Sequence, residues 1–274
     1  MNGTHLLVID PQNDFIDTPG KPGSLAVPGA YDDMGRLAMF INRMGNRLYD
    51  IHVTMDTHNV LDVAHPRAFI NSSGDNPKPF TMIDPGDLGK VWFGLTDDMT
   101  RRFHAYSEQL KAKGRYPHII WPEHCLIGSW GHNVDERVLT ELQRWEILAI
   151  GQVDYVVKGT NPWTEHYSAV QAEIPDPQDP GTQVNVPFVR LLQESDIVVL
   201  CGEALSHCLA NTVRDLYGQF NNLFNPSGTG KRAELVLLRD CTSNVPGFEQ
   251  LGEDFIKDFK SWGGKVVNST DFGT

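Results

Sequence analysis

Three side chains that could together run acyl transfer each stand just beyond a short apolar run. Asp10 ends "HLLVID", Lys158 ends "YVVK", and Cys208 lies in "SHCLAN" directly after "DIVVLCGEAL". The thiolate is the nucleophilic form of cysteine, and an unperturbed thiol is mostly protonated at neutral pH. A first-turn position at a helix N-terminus would stabilise the anion, and so would the Lys158 ammonium. A carboxylate such as Asp10 could take the thiol proton and return it to a leaving amine. Backbone N–H groups at 204–208 could hold the oxyanion of a tetrahedral intermediate. The competing reading of Cys208 is a small buried apolar residue, which most free cysteines are.

A second set suits a metal. Asp56 and His58 form an Asp-x-His step at the end of "IHVTMD", and alternate strand residues point to one side. His124, in "WPEHC", lies far along the chain but could be brought close, and His65 or Asp62 could add a fourth ligand. Such a set suits Zn²⁺, Fe²⁺ or Mn²⁺ and leaves room for a substrate. Solvated loop histidines are the competing reading.

Positioning these groups requires a sheet whose strand ends share one edge. Strands are predicted at 5–10, 51–56, within "WEILAIG" and "YVVKG", at 196–202, at 233–240 and at "KVVN"; helices are predicted at 31–46, 133–145, from Ser206 as N-cap onward, and at 247–260. Strands alternating with helices imply right-handed crossovers and a mainly parallel central sheet covered on both faces, a three-layer α-β-α fold. Loops after the strand C-termini then form the binding crevice. Residues 60–118, rich in Pro, Gly, Asp and Asn, and the Pro/Asp segment 172–183 read as long loop excursions from one domain spanning 1–274.

The net charge of −12 argues against nucleic acid and anionic membranes as partners. No apolar run approaches a membrane span, no leader pattern opens the chain, and four cysteines lack paired spacing, so a reducing cytoplasmic setting is expected. "NPSGTGKR" (225–232) lacks the first glycine and the final Ser/Thr of a phosphate-binding loop. No GxSxG elbow is present.

Taken in order, "LLVIDPQNDFID", "GSLAVPGA", "VTMDTH", "WPEHCLIGSWG", "VVKGTNPWTEHYSAV" and "VVLCGEALSHCLANTVRDL" resemble the isochorismatase-like cysteine hydrolases, and among them the nicotinamidases. The resemblance implies a catalytic triad of Asp10, Lys158 and Cys208. It implies an oxyanion hole from the N–H groups of Ala204 and Cys208, with a cis peptide at Glu203–Ala204. It implies metal ligation by Asp56, His58 and His124, the metal holding the pyridine nitrogen of nicotinamide, and a pocket lined by Phe15, Trp121 and Tyr167. The expected substrate is a small amide, nicotinamide first; another small amide or carbamoyl compound, or a catalytically silent binding homologue, are the alternatives. A homo-oligomer is expected as well. The chain departs from the nicotinamidase pattern at Ser206, where Asp is common, at Leu209, in the spacing of His65, and in the length of both excursions.

Overall fold

The computed structural model describes residues 3–219 and 233–273, so "NPSGTGKR" lies outside the described residues. Six strands form the central sheet: β1 (Thr4–Ile9), β2 (Leu48–Asp56), β7 (Asp154–Lys158), β8 (Ile197–Gly202), β9 (Glu234–Leu238) and β10 (Lys265–Val267). Their order is β10-β9-β8-β1-β2-β7, and every pairing is parallel. β1 and β8 are apolar and buried along almost their whole length, as a strand covered on both faces must be.

The connections are α1 (Ala30–Met44), α3 (Glu136–Ala149), α4 (Val186–Glu194), α5 (Ala210–Gln219) and α6 (Glu249–Ser261). Right-handed crossovers place α1 and α3 on one face and the later helices on the other. Contacts agree: Arg137 of α3 lies over the Tyr31 ring of α1 at 3.9 Å, and Tyr217 of α5 stacks at 4.5 Å on Trp262, just after α6. The chain leaves β1 towards β2 and later leaves β8 in the opposite direction, so β1 and β8 flank a topological switch point.

Three sequence expectations are corrected. "WEILAIG" is no strand: residues 145–149 are the end of α3, where Trp145 is buried but Ile147 and Leu148 face outward and mimic a strand-like run. Residues 60–118 are not simply a loop. They hold two small antiparallel ribbons, β3 (Phe69–Ile70) with β5 (Phe93–Gly94) and β4 (Met82–Ile83) with β6 (His118–Ile119), and a 17-residue helix, α2 (Asp97–Lys113). Thr96 caps α2 by accepting from the Met99 N–H, and Gly114 ends it in the left-handed conformation. Phe103, Tyr106 and Leu110 of α2 pack on Val63, Phe69, Ile83 and Ile120 as a second, smaller core. Ser206 is not an N-cap: one π-helical turn (Leu205–Leu209) starts after Ala204 and runs into α5. The segment 172–183 is irregular as expected, apart from a single turn at Pro180–Thr182. Among the described residues no helix is long and apolar enough to cross a membrane.

Gly202 shows how closely the switch point is packed. Its φ is +102°, and a Cβ there would lie 2.1 Å from the Ile9 carbonyl oxygen and 2.6 Å from its nitrogen. Neither backbone can retreat from the sheet. Gly202→Ala is therefore expected to lower stability by about 2–4 kcal/mol from combined strain and overpacking. Urea unfolding checks this: the midpoint should fall at constant m-value, and an unchanged midpoint would contradict it.

Candidate active site

Strand register brings the predicted groups to one edge. Ile9 pairs with Gly202 and Asp56 with Lys158, so Asp10, Asp56, Lys158 and the turn carrying Cys208 meet at the C-terminal ends of four adjacent strands. Asp10 has a left-handed φ of +40°; its N–H donates to Thr54 Oγ1 at 3.0 Å, and its Oδ1 accepts from the same hydroxyl at 2.5 Å. Gln12 brackets the next strand: its Nε2 donates to the Asp56 carbonyl and its Oε1 accepts from the Asp56 N–H, both at 2.7 Å. The aspartate backbone cannot turn away without breaking both bonds.

Lys158 is the hub. It is 2% exposed, and its Nζ lies 2.9 Å from Asp10 Oδ2, 2.9 Å from Asp56 Oδ1, 3.0 Å from the His166 carbonyl and 3.7 Å from Cys208 Sγ. Asp10 Oδ2 pairs with the ammonium and is also within reach of the Cys208 thiol. The ionisation states follow from counting charges. Burial opposes the Lys158 ammonium, but Asp10 and Asp56 outweigh it and hold its pKa well above the usual value. Burial pushes Asp10 up against the pull of Lys158. Burial also pushes Cys208 well above the ordinary thiol value; Lys158 opposes that, while Asp10 and Asp56 reinforce it. Burial and the two carboxylates thus work against a thiolate at Cys208, and the Lys158 ammonium works for it.

The metal set is also assembled. Asp56 Oδ2 lies 3.1 Å from His58 Nε2 and 3.3 Å from His124 Nε2, and His65 Nε2 is 3.3 Å from the His124 ring. Each imidazole is held from behind at Nδ1: His58 by Asp62 Oδ2 at 3.1 Å, His65 by the Asn59 carbonyl at 3.2 Å, and His124 by the Pro122 carbonyl at 2.8 Å. Against burial, Asp56 and Asp62 hold the His58 pKa well above the usual value, and its Nε2–H faces Asp56; an ion bound among the rings would take the place of that proton, with Nδ1 kept on its partner. The three histidines, with Asp56 against two of them, fit a divalent ion such as Zn²⁺, Fe²⁺ or Mn²⁺. His65 joins the cluster despite its shifted spacing. Asp62 stands behind His58, not beside it as a further ligand. Burial, with His124 and His58 alongside, holds His65 neutral with a pKa down to about 2.

A small cavity connects both halves. Phe15, Trp121 and Tyr167 line it, with Asp56, His124, Ala204 and Cys208. The Trp121 indole N–H donates to the Tyr167 hydroxyl at 3.0 Å, which fixes both rings. The Glu203–Ala204 peptide is cis, as expected, and the Ala204 carbonyl accepts from the N–H groups of His207 and Leu209, which sets the turn bearing Cys208.

Two further wall residues escaped the sequence reading. Glu165 is 5% exposed, and burial raises its carboxyl to about 7. His207 is no surface imidazole. It lies among Tyr116, Trp121, Tyr167 and Phe248, and burial lowers its pKa to about 3. Its Nδ1 is 2.9 Å from Ser206 Oγ, and its buried Nε2 has no partner. Only their place beside matched motifs could have flagged them.

The charge count makes a pH prediction. Alkylation of Cys208 by iodoacetamide in metal-free protein should rise with pH through a midpoint above the ordinary thiol range. Asp56→Asn removes a like charge and should move that midpoint down. A wild-type midpoint near or below about 7 would show a standing thiolate and contradict the assignment.

No family model and no curated relative matches the chain. Solved structures do. The yeast nicotinamidase bound to the inhibitor nicotinaldehyde superposes with a TM-score of 0.64 at 18% identity, over 97% of this chain and 99% of that one. The Acinetobacter baumannii nicotinamidase/pyrazinamidase gives 0.63 at 17%, over 99% and 98%. The zinc complex of Pyrococcus horikoshii pyrazinamidase gives 0.54 at 18%, over 97% and 98%. An isochorismatase-like hydrolase from Alkaliphilus metalliredigens gives 0.51 at 14%, over 98% and 96%. At such identities what is shared is the architecture: the chain has the isochorismatase-like hydrolase fold.

Proposed function

We propose that the protein hydrolyses a small carboxamide through a thioester on Cys208, with nicotinamide to nicotinate and ammonia as the leading reaction. The observation that carries this reading is the joint placement of Asp10, Lys158 and Cys208 beside a carboxylate–histidine set, with Asp56, His124 and Cys208 lining one cavity. The nicotinamidase and pyrazinamidase neighbours support it.

The chain's own residues supply each step. The amide carbonyl sits over Cys208, its oxygen facing the N–H groups of Ala204 and Cys208 as oxyanion donors. Asp10 Oδ2 takes the thiol proton as Sγ attacks the carbonyl carbon, so the thiolate exists only while it is being used. Lys158 stays charged and, 3.7 Å from Sγ, stabilises the sulfur as it loses its proton. Asp10 returns the proton to the amide nitrogen, the C–N bond breaks, and ammonia leaves an acyl thioester. Water then attacks that carbonyl with Asp10 as base, the C–S bond breaks, and Sγ recovers its proton. Asp10 suits both directions because burial moves its pKa up, closer to the operating pH. Asp56, His58, His65 and His124 would hold a divalent ion, which when bound supplies a Lewis-acidic anchor for a substrate ring nitrogen.

A second reading keeps the chemistry and changes the amide. The unpartnered His207 Nε2 on the cavity wall offers a polar contact to a substrate other than nicotinamide, and Ser206 stands where nicotinamidases commonly have Asp.

Ammonia release tests both readings. Metal-loaded protein should release ammonia from nicotinamide faster than from a panel of other small amides and carbamoyl compounds; the reverse ranking selects the second reading. Cys208→Ala should lower kcat/KM by about 10³-fold or more with the far-UV spectrum unchanged, and Asp10→Asn by about 10²–10⁴-fold. Residual activity near wild type in Cys208→Ala would sink the mechanism. Metal removal should raise KM for nicotinamide, and unchanged kinetics in rigorously stripped protein would remove the metal from the account.

A further inference from the structure

A second polar cluster lies at the opposite end of the sheet, on the face covered by α4. His5 of β1, Asp50 and His52 of β2, and Asp154 of β7 stand on three adjacent strands. Register places Asp50 beside His5 and Asp154 beside His52. Asp50 and His52 are two residues apart on one strand and so share a face. The pairing of β1 with β2 slips by one residue here: Thr4 pairs with Leu48 but His5 with Asp50, which leaves Tyr49 unopposed. Without that irregularity Tyr49 would stand beside His5.

His5 and His52 are buried under α4, whose Phe188 meets the His52 ring edge-on at 6.0 Å. Asp50 is half-buried and the Asp154 side chain is 47% exposed, so the cluster has a polar path to solvent. His5 Nδ1 lies 2.9 Å from His52 Nε2. That spacing suits an N–H···N hydrogen bond. It equally suits two nitrogens on one ion, since bonds of about 2.0–2.1 Å at octahedral to tetrahedral angles separate the ligands by about 2.9–3.4 Å. One donor atom from each of His5, Asp50 and His52 lies within 4.8 Å of the others. Asp154 Oδ2 lies 3.0 Å from His52 Nδ1, the carboxylate-behind-imidazole arrangement that presents Nε2 as a lone pair. Hydrolysis at the other end of the strands uses none of these groups.

We propose that His5, Asp50 and His52 form a second divalent-metal site, for a borderline transition ion such as Zn²⁺ or Co²⁺, with Asp154 orienting His52 from behind. An ion here ties β1 to β2 where their register slips, and stabilises the folded chain by mass action. The site is independent of the proposed reaction.

The test is a Co²⁺ titration of metal-stripped full-length protein carrying His58→Ala and His124→Ala, which silences the other cluster. Visible d–d absorption and metal content after desalting are the readouts. One Co²⁺ per chain is expected, abolished by adding His52→Gln and weakened about tenfold or more by Asp154→Asn. Asp50→Asn, at a half-buried position, should weaken binding with the far-UV spectrum unchanged, which separates ligand loss from misfolding. Should the double-alanine background not fold, the count moves to the wild type, with two equivalents expected against one in Asp50→Asn/Asp154→Asn. A background that retains no Co²⁺, or binding that ignores both aspartate substitutions, overturns the proposal.

Discussion

A lysine ammonium sealed between two carboxylates, with a thiol as its fourth neighbour, is the interaction on which the rest of the site depends. Moving such an ion out of water costs several kcal/mol, and only close partners offset that. Asp10 and Asp56 do so at 2.9 Å each. The converse also holds: without Lys158 the buried Asp10 would face the Asp56 carboxylate with the Thr54 hydroxyl as its neutral partner, a loss of about 3–5 kcal/mol on the general behaviour of broken buried pairs. The same ammonium therefore holds three strand ends together and sets the proton inventory of the reaction. Its charge is divided between two carboxylates and the sulfur, and burial pushes the thiol pKa up against it. A cation bound to the Asp56 carboxylate would release part of Lys158 towards the sulfur, which couples the candidate metal set to Cys208 through one shared carboxylate.

Parallel register makes that arrangement possible. Only a sheet whose strands all run the same way delivers Asp10, Asp56, Lys158 and Cys208 to one edge, and only at the switch point does the crevice open between β1 and β8. Gly202 lets those two strands meet without a side chain between them. The loops then divide the labour. Those after β1 and β8 carry Asp10 and Cys208, while the long segment after β2 returns His65 and His124 to His58.

Much of this was legible in the sequence because parallel strands read as short apolar runs, so the residue just beyond each run is a candidate by position alone. Asp10, Asp56, His58, Lys158 and Cys208 were found that way, and His65 and His124 by residue type. What failed, failed for physical reasons. Helix α2 buries only a narrow stripe of Phe103, Tyr106 and Leu110 amid charged residues, so its pattern was lost among the surrounding prolines and glycines. The end of α3 exposes Ile147, Leu148 and Ile150, an apolar run with no core to face. Glu165 and His207 needed side-chain direction, which no spacing reveals. The sharing of Lys158 between two acids needed distances. The pairing of His5 with Asp50 needed a register slip that exists only once the strands are side by side.

The central claim is covalent: the acyl group of the substrate passes through Cys208 and no other thiol. Cys125, Cys201 and Cys241 are buried as well, and burial raises the pKa of each, so any of them would react only if the site were elsewhere. Acid-quenched turnover of nicotinamide, digested and read by mass spectrometry, tests this directly. The account predicts a nicotinoyl thioester on the peptide containing Cys208 during turnover and none once substrate is exhausted. Turnover with Cys208 unmodified throughout, or with the acyl group on another cysteine, would contradict it.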